Sequence, residues 1–201
     1  MSFVGTVRPL VQGENSATGR GHAAALALSF VLSSFTVFAV VAATGGGLGV
    51  GAVPYRLRLA ACAAAGVALA CVDALRVRRG RTCSVGARRQ TPRSLMSTRS
   101  PLVACVAWGA DTGLVVTTVR VTGLSWLGIL LVLTHVVPWW AGVAYGLAFA
   151  MPLLALLLWR PRSAAPWGTP ALTRRLLSLL RGAQWTGVVL MLAPAAAALL
   201  R

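Results

Sequence analysis

The sequence predicts an all-α, polytopic transmembrane helix bundle of about six spans. Three observations predict it. Hydrophobic residues fill 57% of the 201 positions and charged residues only 11%. The apolar residues gather in runs long enough to cross a hydrocarbon core of about 30 Å at 1.5 Å per helical residue. The arginines collect in the gaps between those runs, where orientation during insertion and anionic head groups favour them.

The elements follow in order. Residues 1–22 are polar, carry Arg8 and Arg20, and read as a flexible tail. The domain proper, 23–201, starts with the apolar run 23–43, longer than the roughly 7–15 residues of a signal-peptide core and so expected to be a true first span. Thr44–Pro54 (TGGGLGVGAVP) reads as a loop. Its glycines approach a dinucleotide fingerprint, but no strand precedes them, so no cofactor is expected there. The second span, 57–75, is alanine-rich, and Ala60, Ala64 and Ala68 recur at the four-residue spacing that lets another backbone approach. The basic loop 76–100 holds eight arginines. Spans three, four and five are expected at 102–119, 124–137 and 141–159, with a Pro138–Trp139–Trp140 break between the last two. In 170–181, Leu172, Leu176, Leu179 and Leu180 share one helical face opposite Arg174, Ser178 and Arg181, the pattern of a helix lying in the membrane interface. Span six is 183–200. Tryptophans 139, 140, 159, 167 and 185 fall near span ends, as an aromatic belt requires.

Each half reads as span, turn, span, basic loop, span. Two such three-helix halves would be inverted relative to each other, an arrangement that transporters use to build a midplane site. With six crossings and both termini cytoplasmic, eleven arginines lie inside and eight outside.

The net charge of +16 comes from nineteen basic residues, all arginine, against three acids. The placement of the arginines between spans points to the bilayer and its anionic lipids as the partner, not to nucleic acid. Small glycine- and alanine-rich faces suit a second membrane subunit or a second copy of the chain. Cys62, Cys71, Cys83 and Cys105 have no zinc-site spacing, so no metal is expected. Cys62 and Cys71 point to opposite sides of one helix, whereas Cys71 and Cys105 flank the basic loop at a shared depth.

The residue that points furthest toward function is Asp111, near the centre of VACVAWGADTGLVVTTV (Val103–Val119). A carboxylate at bilayer depth costs about 2.5–3.5 kcal/mol on insertion scales and usually faces a partner or a cavity. It lies within Gly109-x-x-x-Gly113, a pattern that lets a neighbouring helix close in. His135, on the next span, is expected within about one helical turn of its depth. Trp108, Thr118 and His135 are its expected companions on a proton or cation path. If the chain is an enzyme, Asp111 or His135 is the candidate base and Cys105 a candidate partner. Asp73, three residues before Arg76, reads as an interfacial ion pair. Hydrolase, zinc-protease and P-loop motifs are absent, which removes those chemistries.

Trp108–Gly113 (WGADTG), Thr118–Thr122 (T-x-R-V-T) and Ala141–Pro152 (A-G-x-A-Y-G-x-A-F-A-x-P) resemble small six-span actinobacterial membrane proteins grouped with the CcdA/DsbD transmembrane family and its transporter relatives. That family moves reducing equivalents through one cysteine in the first span and one in the fourth. Runs 23–43 and 124–137 contain no cysteine, so the resemblance implies a shared fold without thiol electron transfer.

The expected function is therefore transport or a membrane-accessory role with Asp111 as relay. The alternatives are an intramembrane enzyme, or a subunit of one, doing proton transfer on a lipophilic or peptide substrate, and a structural or regulatory subunit.

Overall fold

A computed structural model describes residues 16–81, 100–115, 122–158 and 170–200, and every regular element among them is helical. The helices are α1 (Ser16–Gly47), α2 (Tyr55–Arg78), α3 (Pro101–Gly113), α4 (Leu124–Leu133), α5 (Ala141–Leu158), α6 (Pro170–Met191) and α7 (Ala193–Leu199), with one 3-10 turn, Val50–Ala52, between α1 and α2. Among the described residues, three segments are long and apolar enough to cross a membrane: Thr18–Gly47, Tyr55–Arg78 and Leu177–Leu199.

Several boundaries differ from the sequence expectation, each for a physical reason. Helix α1 runs on through Gly45–Gly47, where a loop was expected. Glycine weakens a helix by about 1 kcal/mol, but at Gly45 a side chain would collide with the Leu133 carbonyl, so the close approach selects glycine. Helix α3 stops at Gly113, well short of residue 119, and α4 stops at Leu133 instead of 137. The expected interfacial helix and sixth span form one helix through Gly182, broken only at Leu192 ahead of Pro194. Helix α1 begins at Ser16, so residues 16–22 of the expected flexible tail are helical; the tail before residue 16, the loop 82–99 with Cys83, and Thr118, Trp159 and Trp167 lie outside the described residues.

The chain forms two compact units. The first draws on Met1–Val40, Arg88–Thr118 and Trp139–Arg160, and the second on Val41–Ala87, Val119–Pro138 and Pro161–Arg201. The units thus take alternate apolar runs: first, third and fifth in one, second, fourth and sixth in the other.

In the first unit, α1 carries a buried stripe of Ala23, Leu26, Phe30, Ser34 and Phe38, spaced three or four residues apart as one helical face requires. Both glycine pairs seen in the sequence dock on this helix. Gly109 meets Leu26 and Ser29, and Gly113 meets Phe30 and Ser33, so α3 runs parallel to α1. Gly146 meets Val31 while Gly142 meets Phe35 and Phe38, so α5 runs antiparallel. Aromatic rings reinforce that second contact: Phe35 on Trp139 at 5.1 Å and Phe38 on Tyr145 at 5.3 Å.

In the second unit, the buried stripe of α2 is Leu59, Cys62, Gly66, Ala70 and Asp73. Ala60, Ala64 and Ala68 are exposed; the small-residue spacing occurs on more than one face of so alanine-rich a helix, and Gly66 is where α6 closes in, against the Met191 carbonyl. Ala70, Leu127, Val188 and Met191 form the core. Cys62 lies by Thr134 and Asp73 by Gly123, so α4 runs antiparallel to α2. The Gln184 amide donates to the Arg81 carbonyl while Met191 packs at Gly66, so α6 is also antiparallel to α2.

Candidate functional site

Asp111 occupies the last turn of α3. Glycines at 109 and 113, with Cys105 a turn earlier, form the face that meets α1. At 100° per residue, Asp111 points roughly 160° away from the centre of that face, on the side that also carries Ala104. The glycine pair therefore explains how α3 is held, and Asp111 is buried on a different side. It is 9% exposed and engaged by its surroundings, and its Oδ2 is completely enclosed.

A helix that ends among apolar side chains leaves carbonyls in need of donors. Two serines of α1 supply them: Ser33 Oγ donates to the Ala110 carbonyl at 2.8 Å, and Ser34 Oγ to that of Gly113 at 3.1 Å. Thr112 Oγ1 turns back to the Trp108 carbonyl at 2.8 Å. Beyond Gly113, Val115 is buried and adopts φ 55°, a left-handed conformation that costs an L-residue about 1–2 kcal/mol. Strain of this kind in a β-branched residue persists only where surrounding contacts over-determine it. It marks where the chain leaves the helical path, four residues after Asp111.

His135 belongs to the second unit and Asp111 to the first. The Val136 N–H bonds the Leu131 carbonyl at 2.9 Å and the His135 N–H that of Val132 at 3.0 Å, the paired bonds of a Schellman helix end. His135 thus holds the position after the cap, with φ 51°, where glycine is usual. Helix α2 ends in the same motif with Gly80 at φ 71°. The imidazole is exposed, and its Nε2 lies at the Gly45–Gly46 end of α1. Around it, Arg58 donates to the Thr134 carbonyl at 2.7 Å and to that of Val53 at 2.9 Å, while Cys62 Sγ lies 3.2 Å from Thr134 Oγ1.

Asp73 is buried at 3% exposure, and its Oδ2 accepts the Gly123 N–H at 2.6 Å. This puts a carboxylate at the N-terminus of α4, where free N–H groups and the helix dipole favour it. Thr122, Ser125 and Gln184 are the other buried polar residues of this end of the unit.

Of the expected site residues, Trp108 and Asp111 share α3, three residues apart and therefore neighbours on the helix surface. Cys105 is buried on the glycine-bearing face of that helix, turned away from the carboxylate, and Thr118 lies outside the described residues. Sequence reading missed Ser33 and Ser34, although Ser29-x-x-x-Ser33 carries the small-residue spacing of a close-packing face. No family model, curated protein or solved structure matches this chain.

Proposed function

We propose that this chain is an integral membrane protein in which Asp111 relays a proton or binds a cation for transport across the bilayer. The single observation behind this reading is the setting of Asp111: a buried carboxylate on a short apolar helix whose end is capped by serines from another helix and closed by a strained turn. Ionisable groups are kept at such depth when they serve a path or a partner.

The distribution of side chains supports the membrane part of the reading. Outward-facing positions of the long helices include Leu28, Leu32, Val40, Leu57, Val67 and Leu75, whereas Ser34, Asp73, Asp111, Ser125 and Gln184 are buried. A chain solvated by lipid places its apolar side chains outward and its polar ones inward. Trp139, Trp140 and Trp185 are exposed, as interfacial anchors are. The partners that follow are lipid and anionic head groups. The grouping by alternate runs is the frame within which an inverted repeat would have to be sought.

The test is flux in proteoliposomes containing this chain alone, driven by an imposed pH or cation gradient and read by an entrapped dye. The wild type and Asp111→Glu conduct, and Asp111→Asn, shown to be folded by its unfolding temperature, does not. Full flux in Asp111→Asn overturns the relay, and a silent wild type overturns autonomous transport in favour of an enzyme or subunit role.

A further inference from the structure

We infer that α3 does not cross the membrane. It enters from the arginine-rich face, carries Asp111 to about mid-depth and returns to the same face, so the chain makes five crossings and its two ends lie on opposite sides. The inference concerns topology and does not depend on the relay reading.

The second unit alone requires it. The start of α2 and the end of α4 share one level: Arg58 reaches the Thr134 carbonyl and Cys62 lies by Thr134. The end of α2 and the start of α4 share the other, where Asp73 binds Gly123. Between residues 79 and 122 the chain therefore leaves a face and comes back to it. A chain that does so crosses an even number of times. The only apolar run in that interval is 102–119, and one run cannot cross twice, so it crosses not at all.

The first unit shows how far that run penetrates. Helix α3 has 13 residues, about 20 Å at 1.5 Å each, and it ends partway along α1. Its last residue, Gly113, packs on Phe30 and Ser33, midway along the Thr18–Gly47 segment. There Val115 adopts its positive φ, and Ser33 and Ser34 bond the terminal carbonyls. Backbone that leaves the helix at membrane depth is tolerated only where protein groups satisfy it, and these serines do so.

Charge gives an independent check. Gly45 of α1 meets Leu133 and His135, so α1 ends on the face where α2 starts and α4 ends, and the paths of α5 and α6 follow from the chain. Arg56, Arg58 and Arg201 then lie on that face, and the other sixteen of the nineteen arginines lie on the opposite one. Six crossings gave eleven against eight. Because arginine excess marks the cytoplasmic side, the amino-terminal end is inside and the carboxyl-terminal end outside.

The experiment is side-specific labelling of the full chain with a membrane-impermeant maleimide, in intact cells and in inverted vesicles. Native Cys83 reports the arginine-rich face. In a background with Cys71 and Cys83 replaced by alanine, Val53→Cys reports the other face and Arg120→Cys decides. Arg120→Cys is expected to label from the Cys83 side; labelling from the Val53 side overturns the inference. Epitope tags at the two ends give a second reading that needs no cysteine. Tags on opposite faces support five crossings, and tags on the same face overturn them even if Arg120→Cys does not label.

Discussion

Asp73 Oδ2 accepts the backbone N–H of Gly123 at 2.6 Å, fastening the last part of α2 to the first residue of α4. The bond is buried, and it fixes which end of α4 lies beside which end of α2. Glycine at 123 permits it, since a side chain there would press on Met191, Leu69 and the carboxylate itself. The two charged residues that tie α4 to α2, Asp73 at its start and Arg58 at its end, each match the sign that the α4 dipole favours.

Removing that acceptor leaves a buried N–H without it. Asp73→Ala is expected to lower stability by about 1–3 kcal/mol, and Asp73→Asn, which keeps a carbonyl oxygen in place, by less. Thermal unfolding in detergent, in a background with Cys71 and Cys83 replaced by alanine and followed with a thiol-reactive dye that reaches buried Cys62 and Cys105 only on opening, measures both.

At His135 the backbone favours glycine, while the imidazole makes the contact with α1. His135→Gly is expected to raise stability by about 1 kcal/mol relative to His135→Ala, because both lose the ring and only glycine relieves the left-handed strain. The same unfolding measurement on the two variants isolates the backbone contribution. Equal stabilities contradict it.

The glycines of α3 are expected to be intolerant of a single methyl group. Gly109→Ala meets Ser29 and the Leu26 carbonyl, and Gly113→Ala meets the Phe30 carbonyl at 2.5 Å. Overpacking against backbone costs about 1–3 kcal/mol. Gly182→Ala, with nothing within 4 Å, serves as the control and is expected to be neutral or to gain up to about 1 kcal/mol from helix propensity. Ranking the three by unfolding temperature checks the packing directly.

These cases also show what could be read from the residues. Hydrophobic run lengths located the long apolar helices among the described residues but not their ends, and the Gly109–Gly113 and Gly142–Gly146 spacings correctly announced close approaches, because both depend on local pattern alone. Two of the three motifs behind the CcdA/DsbD resemblance, around Asp111 and in α5, hold those same glycines, so at least part of the likeness reflects helix packing. The end of α3 was not legible. Leu114–Val115–Val116 continues an apolar run without a proline or a polar break, and the left-handed conformation of buried Val115 runs against the preference of valine. The bond from Gly123 to Asp73 was not legible, because a backbone group fifty residues away leaves no mark in the local pattern around the carboxylate.

The stripe on α1 has a consequence for how the protein is made. Helix α1 has its inner face covered by α3 and α5, whose docking glycines lie more than sixty residues later in the chain. Gly66 of α2 must likewise wait for Met191. Neither unit can close while its first helix is being synthesised, so the inner faces of α1 and α2 stay uncovered until those later segments are made. Assembly of this protein is therefore a late event, and a chain interrupted before Met191 leaves α2 without the partner that Gly66 is shaped to receive.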